Sequence, residues 1–117
     1  MTDLVLRNGD IAVATLREPE ALSDLTAKWA DRLLTVKLDV TKPEEISAAF
    51  AKAKEAFSRI DVVFNNACRG VLSEVEGTPD RAARDLFEVN FWGAANVSRE
   101  AIKFFREVNQ PAGGHLL

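Results

Sequence analysis

Three short apolar runs, each followed by a helix-forming segment, constrain the fold of this chain more than any other feature. The runs are Asp10–Arg17 (DIAVATLR), Leu33–Val40 (LLTVKLDV) and Ile60–Phe64 (IDVVF). They alternate poorly between polar and apolar residues, which is typical of strands that are covered on both faces. Strand and helix in strict alternation is the order of parallel βαβ units. The sequence therefore predicts an α/β fold with a parallel sheet and right-handed crossovers.

The segments between and after these runs have the signals of helices. Between the first two runs, Leu22, Leu25 and Trp29 are spaced three and four residues apart, which predicts a helix with one apolar face. Thr41 and Glu44 form a capping-box pattern, which predicts a helix that starts near Pro43. A longer helix is predicted over 79–109, and a fourth strand is expected to begin at His115.

Length, charge and cysteine content exclude several classes of protein. With 117 residues, of which 47% are hydrophobic, we expect a single domain over 1–117 that buries a real core. A net charge of -3 provides no basic excess for nucleic-acid binding. One cysteine and one histidine predict neither a disulfide framework nor a metal site, and a reducing cytoplasm is the expected location. No signal-peptide pattern and no apolar stretch long enough for a membrane span is present.

Polar residues follow each apolar run, at the point where the predicted strand ends. The first run ends in Arg17, the second contains Asp39 near its end, and the third is followed by Asn65 and Asn66. Because ligands of open α/β sheets bind beyond the carboxyl ends of the strands, we expect these groups to share one edge. A guanidinium suits a phosphate, a carboxylate suits an exocyclic amine, and the small Ala67 permits close approach to a ribose. For Arg17 alone, an ordinary surface arginine at a strand end explains the sequence equally well.

Three short motifs at these intervals resemble the short-chain dehydrogenase/reductase family: LDVT at 38–41, NNA at 65–67 and VNFWG at 89–93. The resemblance covers nearly the whole chain. It implies a partial Rossmann-like parallel sheet with helices on both faces. It also implies an oxidoreductase that transfers hydride between a nicotinamide cofactor and the carbonyl or alcohol group of a small molecule.

The resemblance further implies a role for each residue that matches a family motif. The implied cofactor-binding residues are Arg17, Asp39, Val40, Asn65, Asn66 and Ala67. Asp39 and Val40 would lie beside the adenine, and Arg17 would bind the 2′-phosphate, so that NADP is preferred to NAD. Asn90 matches the asparagine of the family's catalytic tetrad, which holds a proton-relay water.

The position of Asn90 is also unusual on physical grounds. It lies between Val89 and Phe91 in the predicted long helix, with Gly93 three residues on. Glycine in a helix interior costs about 1 kcal/mol relative to alanine. The pair therefore predicts a kink in the helix with an inserted water. The alternative is an exposed asparagine with an incidental glycine nearby.

Several family features are absent from the sequence. It has no G-x-x-x-G-x-G turn and no tyrosine, and therefore no Y-x-x-x-K site. We accordingly expect a fragment of the fold that lacks the first strand, the glycine-rich turn and the C-terminal half, that binds NADP weakly or not at all, and that is inactive alone. Cys68 stands where the family usually has glycine; it is either a thiol activated by Arg69 or an incidental replacement.

The absent first strand lies, in the family, between the strands predicted at 10–17 and 60–64. We expect these two strands to pair directly. The alternatives are that another chain fills the gap or that the sheet is poorly formed, because unpaired edges expose N–H and C=O groups.

The helix predicted over 79–109 has two apolar stripes, one of which can cover the sheet. The first contains Leu86, Val97, Ala101, Phe104 and Val108, and the second contains Phe87, Phe91, Ala95, Ile102 and Phe105. The second predicts a homo-oligomer, or else other parts of the same fold that cover it. The alternatives to an enzyme are therefore a non-catalytic module that binds nucleotide or dimerises, and a truncated gene product with no function of its own.

Overall fold

The computed structural model describes residues 1–117 and confirms the α/β fold with parallel strands. In chain order the elements are α1 (Thr2–Arg7), β1 (Ala12–Leu16), a 3-10 turn (Pro19–Leu22), α2 (Ser23–Lys28), β2 (Leu33–Lys37), α3 (Pro43–Phe57), β3 (Val62–Val63), α4 (Asp80–Phe87), a π-helical segment (Glu88–Gly93), α5 (Ala94–Glu107) and β4 (His115–Leu116). No helix is both long and apolar enough to cross a membrane.

The strands form two separate parallel pairs. β1 pairs with β2 in a register that runs from Ala12 opposite Leu33 to Leu16 opposite Lys37. β3 pairs with β4, with Val62 opposite His115. Each strand is shorter than the apolar run that predicted it, because only part of each run takes part in a ladder.

The predicted direct pairing of the strands at 10–17 and 60–64 is wrong. β1 and β3 belong to different sheets, and each keeps one unpaired edge. The reason lies in the packing of side chains: Val13 from the first pair and Val63 from the second both rest on the same hydrophobic core. Since helices hold each pair in place, backbone pairing does not draw the two edges together.

That core is built mainly by α3 and α5. Ile46, Ala49, Phe50 and Ala53 recur three and four residues apart on α3 and are all buried. The Phe50 ring meets the Phe104 ring of α5 in a tilted arrangement, with 5.9 Å between the ring centroids. Burying one such ring contributes about 2 kcal/mol from apolar area alone.

The start of α3 differs from the predicted capping box. The helix begins at Pro43 with Lys42 in the cap position, and no side chain caps it. Thr41 therefore lies one residue before the cap position, and its hydroxyl donates to the Asp39 carboxylate. Glu45, rather than Glu44, reaches back to the chain before the helix.

The long predicted helix is present as α4 and α5, joined by the π segment. The interruption expected near Asn90 and Gly93 therefore takes the form of a change in helix type. Of the second apolar stripe, Phe87, Phe91 and Ile102 are indeed exposed. The assignment of Phe105 to that stripe is wrong.

Phe105 is buried because the turn before β4 covers it. A side chain added at Gly114 would clash with the Phe105 ring, so the absence of a Cβ at Gly114 lets the turn close over the ring. The helical spacing of apolar residues does not reveal a contact with a turn so much further along the chain.

A buried amide, Asn109, joins the end of α5 to both strands of the second pair. Its Nδ2 donates to the carbonyl oxygens of Ile60, at 2.6 Å, and Gly113, at 2.7 Å. Its Oδ1 accepts the Ile60 N–H at 3.3 Å. Ile60 precedes β3 and Gly113 precedes β4, so this one side chain ties together the starts of the two strands.

We predict that Asn109→Ala lowers the free energy of unfolding by about 2–3 kcal/mol. The reason is that the Ile60 N–H and the carbonyl oxygens of Ile60 and Gly113 lose their hydrogen bonds to the Asn109 side chain. Urea denaturation of both proteins measures the difference. Asn8→Ala is the matched control, since the Asn8 side chain is exposed and makes no hydrogen bond. Equal stability of the two variants would show that the hydrogen bonds of Asn109 do not stabilise the fold.

Candidate functional site

A short turn between β2 and α3, residues 39–41, places a carboxylate at the edge of the first sheet; we call it the Asp39 turn. The last ladder bond runs from the Leu38 N–H to the Leu16 carbonyl. Beyond it, Asp39 Oδ1 accepts two hydrogen bonds from Thr41, from the backbone N–H at 3.0 Å and from the hydroxyl at 2.7 Å. Asp39 Oδ2 has no hydrogen-bond partner in the chain, so it remains available to a ligand.

The surroundings of Asp39 keep its carboxylate charged. The hydrogen bonds from Thr41 lower the pKa of Asp39 most, against a smaller opposing effect of burial, and the positive charges of Lys42 and Arg17 lower it further. Arg17 is exposed and makes no ion pair of its own. The structure thus brings the predicted arginine and carboxylate into one electrostatic environment.

The two asparagines that follow β3 have different surroundings. Asn65 is partly buried, and its Nδ2 donates to the Ala94 carbonyl at 3.0 Å and to the Ser98 hydroxyl at 3.3 Å. Its backbone N–H donates to Leu117. Asn66 is exposed and its side chain makes no hydrogen bond. Asn65 is therefore committed to α5, whereas the Asn66 amide is open to solvent.

The residues that follow, Ala67 and Cys68, are also exposed. Neither side chain is enclosed by the chain, so the replacement of a glycine by Cys68 is accommodated without a clash. A ribose could therefore approach this segment from the solvent side, as the small Ala67 predicts.

Asn90 lies in the π segment and binds the loop after the asparagines. Its Oδ1 accepts the Arg69 N–H at 2.8 Å, and its Nδ2 donates to the Arg69 carbonyl at 2.8 Å. Both polar atoms of the amide are thus engaged with one backbone unit. The structure thus places Asn90 against the loop that begins at Asn65.

Gly93 allows the helix to approach the Asp39 turn. A Cβ at this position would lie 2.7 Å from Val40 Cγ2, closer than side-chain atoms come in folded proteins. Val40 is itself buried, with 9% of its surface exposed. Gly93 is therefore required by this contact as well as marking the helix interruption.

Sequence reasoning missed three residues that support this site. The Ser98 hydroxyl accepts a hydrogen bond from the Asn65 side chain. The backbone of Arg69 forms two hydrogen bonds with the Asn90 side chain. The Glu45 carboxylate accepts the Asp39 N–H. The Ser98 hydroxyl also donates to the Ala94 carbonyl four residues earlier, a hydrogen bond that serine often forms within helices. No local pattern marks Arg69 or Glu45, since their partners are set by how the elements pack.

Comparison with known proteins agrees with this architecture. The family model for short chain dehydrogenases matches residues 1–115. An uncharacterised oxidoreductase of Schizosaccharomyces pombe is 35% identical over 112 residues, which cover 96% of this chain and 36% of that protein. The NADPH-dependent 1-acyldihydroxyacetone phosphate reductase of Saccharomyces cerevisiae is 31% identical over 107 residues, covering 89% of this chain and 36% of that enzyme.

A solved structure leads to the same family. The crystal structure of a short-chain dehydrogenase from Streptomyces avermitilis aligns with a TM-score of 0.87 at 34% identity, covering 98% of this chain and 42% of that one. The chain therefore belongs to the short-chain dehydrogenase family, an oxidoreductase family, and has a partial Rossmann-like fold. It spans 36% of the length of the two curated relatives described above.

We predict that Gly93→Ala lowers stability by about 1–3 kcal/mol, because the added methyl group overpacks against Val40. In the Gly93→Ala, Val40→Ala double variant the smaller side chain makes room, so the combined loss is smaller than the sum of the single losses. Urea denaturation of the four proteins gives the coupling energy.

Gly70→Ala is the control for this cycle, since no atom lies within 4 Å of a Cβ built there. Single losses that add within about 0.5 kcal/mol would show that the two positions are not in contact.

Proposed function

We propose that this chain provides the adenosine-binding part of an NADP-dependent oxidoreductase that transfers hydride between nicotinamide and a carbonyl or alcohol group of a small molecule. The observation that carries the proposal is the Asp39 turn, where a charged carboxylate keeps one oxygen free beside a buried apolar residue. That combination suits the exocyclic amine and the flat apolar face of an adenine. Membership of the short-chain dehydrogenase family supports the reaction class.

Asn65 and Asn66 have separate tasks on this proposal. Asn65 holds the end of β3 to α5 through Ala94 and Ser98, and thereby fixes the height of the loop above the sheet. Asn66 and Ala67 are the exposed members of the motif and would face the ribose. The small side chain of Ala67 keeps the backbone accessible.

Arg17 is the proposed reader of the 2′-phosphate. It is exposed, has no ion-pair partner in the chain, and lies close enough to Asp39 to affect that group's pKa. A guanidinium binds phosphate in a bidentate manner, which favours NADP over NAD. The NADPH dependence of the yeast relative is consistent with this preference.

Asn90 would serve the reaction through its backbone. Both polar atoms of its side chain are occupied by Arg69, so the amide positions the loop and has no capacity left for a water. A π segment replaces some of the usual i→i+4 hydrogen bonds with i→i+5 bonds, and where the regular ladder is interrupted a main-chain carbonyl can accept a bond from water. We assign the proton-relay water of the family to such a carbonyl near Asn90.

We predict that the chain binds adenosine 2′,5′-bisphosphate about tenfold more tightly than AMP, because a charge-assisted bond to Arg17 adds about 1.5 kcal/mol. Arg17→Ala brings the ratio of the two affinities close to one. Isothermal titration calorimetry measures both ligands against both proteins.

Arg106→Ala is the matched control, since it removes the same charge from an exposed side chain at the far end of α5. Failure of the wild-type chain to bind either ligand at millimolar concentration would refute the adenosine site. An affinity ratio unchanged by Arg17→Ala would refute the assignment of the 2′-phosphate.

A second candidate function is self-association through the helices over 79–109. Its support is the set of large apolar side chains exposed on one helix pair: Phe87 at 66%, Phe91 at 55% and Ile102 at 48%. Exposed aromatic residues in such a row are typical of an interface. On this proposal the partner is a second copy of the chain or a longer relative with the same helices.

We predict a dimer at micromolar concentration in sedimentation-velocity experiments, and a monomer after Phe91→Asp, because a charge is costly to bury in an apolar interface. Leu72→Asp, on a fully exposed loop residue, is the control and leaves the dimer intact. A wild-type chain that remains monomeric at several hundred micromolar would exclude this function.

A further inference from the structure

The Asp39 turn is held from a second side by a residue of α3. We propose that Glu45 is a positioning residue for the adenine side of the nucleotide site, where it fixes the turn that presents the free Asp39 oxygen and Val40. This inference rests on the proposed nucleotide function. The juxtaposition that carries it is a glutamate carboxylate bonded to the backbone of the residue proposed to bind the ligand.

Both oxygens of the Glu45 carboxylate are engaged. Oε2 accepts the Asp39 backbone N–H at 2.7 Å, and Oε1 accepts the Lys42 ammonium at 3.2 Å. The bond to Asp39 spans six residues and links the first turn of α3 back to the end of the sheet. Lys42 lies between the two and neutralises part of the charge that Asp39 and Glu45 bring together.

The Asp39 N–H has no other partner. The residue before it makes the last ladder bond, from the Leu38 N–H to the Leu16 carbonyl, and the chain leaves the sheet at that point. The bonds between Asp39 and Thr41 close the turn on itself but do not tie it to a helix. The Lys42 N–H, in the cap position of α3, donates to the Asp39 carbonyl at 3.0 Å. Glu45 adds the one side-chain hydrogen bond from within α3 to the turn.

The charge state of Glu45 suits this role. The hydrogen bond from the Asp39 N–H lowers the pKa of Glu45 most, and the bond from Lys42 lowers it further. At neutral pH the carboxylate is ionised and can only accept hydrogen bonds. Charged acceptors form the stronger class of hydrogen bonds to backbone N–H groups.

The chain provides a matched control one residue away. Glu44 lies in the same first helical turn, is exposed, and makes neither a hydrogen bond nor an ion pair. Glu44→Ala and Glu45→Ala therefore remove the same charge from the same helix end. A difference between the two variants reports the contacts of Glu45 with Asp39 and Lys42, and the exchange rate of the Asp39 amide isolates the first of these.

The experiment compares wild type with Glu44→Ala, Glu45→Ala and Glu45→Gln. Amide hydrogen exchange of Asp39, observed by NMR, reports the hydrogen bond, and titration with adenosine 2′,5′-bisphosphate reports binding. We expect Glu45→Ala to speed exchange at Asp39 and weaken binding, each by about tenfold, since a bond to a charged acceptor is lost. Glu45→Gln retains an acceptor and is expected to be intermediate, whereas Glu44→Ala resembles wild type.

The outcomes separate this proposal from the proposed function. Equal exchange and equal affinity in the Glu44→Ala and Glu45→Ala variants would overturn it. Faster exchange with unchanged affinity would overturn the role in binding and leave a purely structural bond. If the wild-type chain binds no adenosine ligand, the proposed function fails with the binding role, and the exchange rate alone decides whether Glu45 holds the turn.

Discussion

The packing of α3 against α5 is the interaction on which the rest of this structure depends. Neither strand pair is bonded to the other, so no continuous ladder holds the sheet together. Phe50 and Phe104 meet between the helices, and residues from both strand pairs rest on the same cluster. The burial of apolar side chains therefore holds the two strand pairs together, where a continuous sheet would use backbone hydrogen bonds. The stabilisation that it gives is non-directional and roughly proportional to the apolar area buried.

The π segment and the residue after it contact three parts of the candidate site that are far apart in the chain. Gly93 approaches Val40 after β2, Asn90 binds Arg69 in the loop after β3, and the first residue of α5, Ala94, accepts the bond from Asn65. These three contacts fall within five consecutive residues. A regular helix would present the same side chains at different angles, which is why π segments are found at functional sites.

Sequence patterns predicted elements well and contacts between distant elements poorly. The parallel α/β fold, the family and the interruption near Asn90 all followed from the order of apolar runs and from short motifs. The capping box at Thr41 failed because the helix begins one residue later than the pattern predicts, with Lys42 in the cap position. The pairing of the first and third strands failed because helix packing holds each strand pair in place. Phe105 is buried, unlike Phe87, Phe91 and Ile102 of its predicted stripe, because the turn before β4 covers it.

The sequence by itself determined the alternation of strands and helices, the family, and the residue types at the strand ends, since these depend on local spacing and composition. Tertiary structure alone decided which of those residues are free. Asn65 is committed to α5 and Asn90 to Arg69, whereas Asn66, Arg17 and one oxygen of Asp39 have no partner. A hydrogen bond between residues far apart in the chain depends on how whole elements pack, and the spacing of residues along one element carries no record of it.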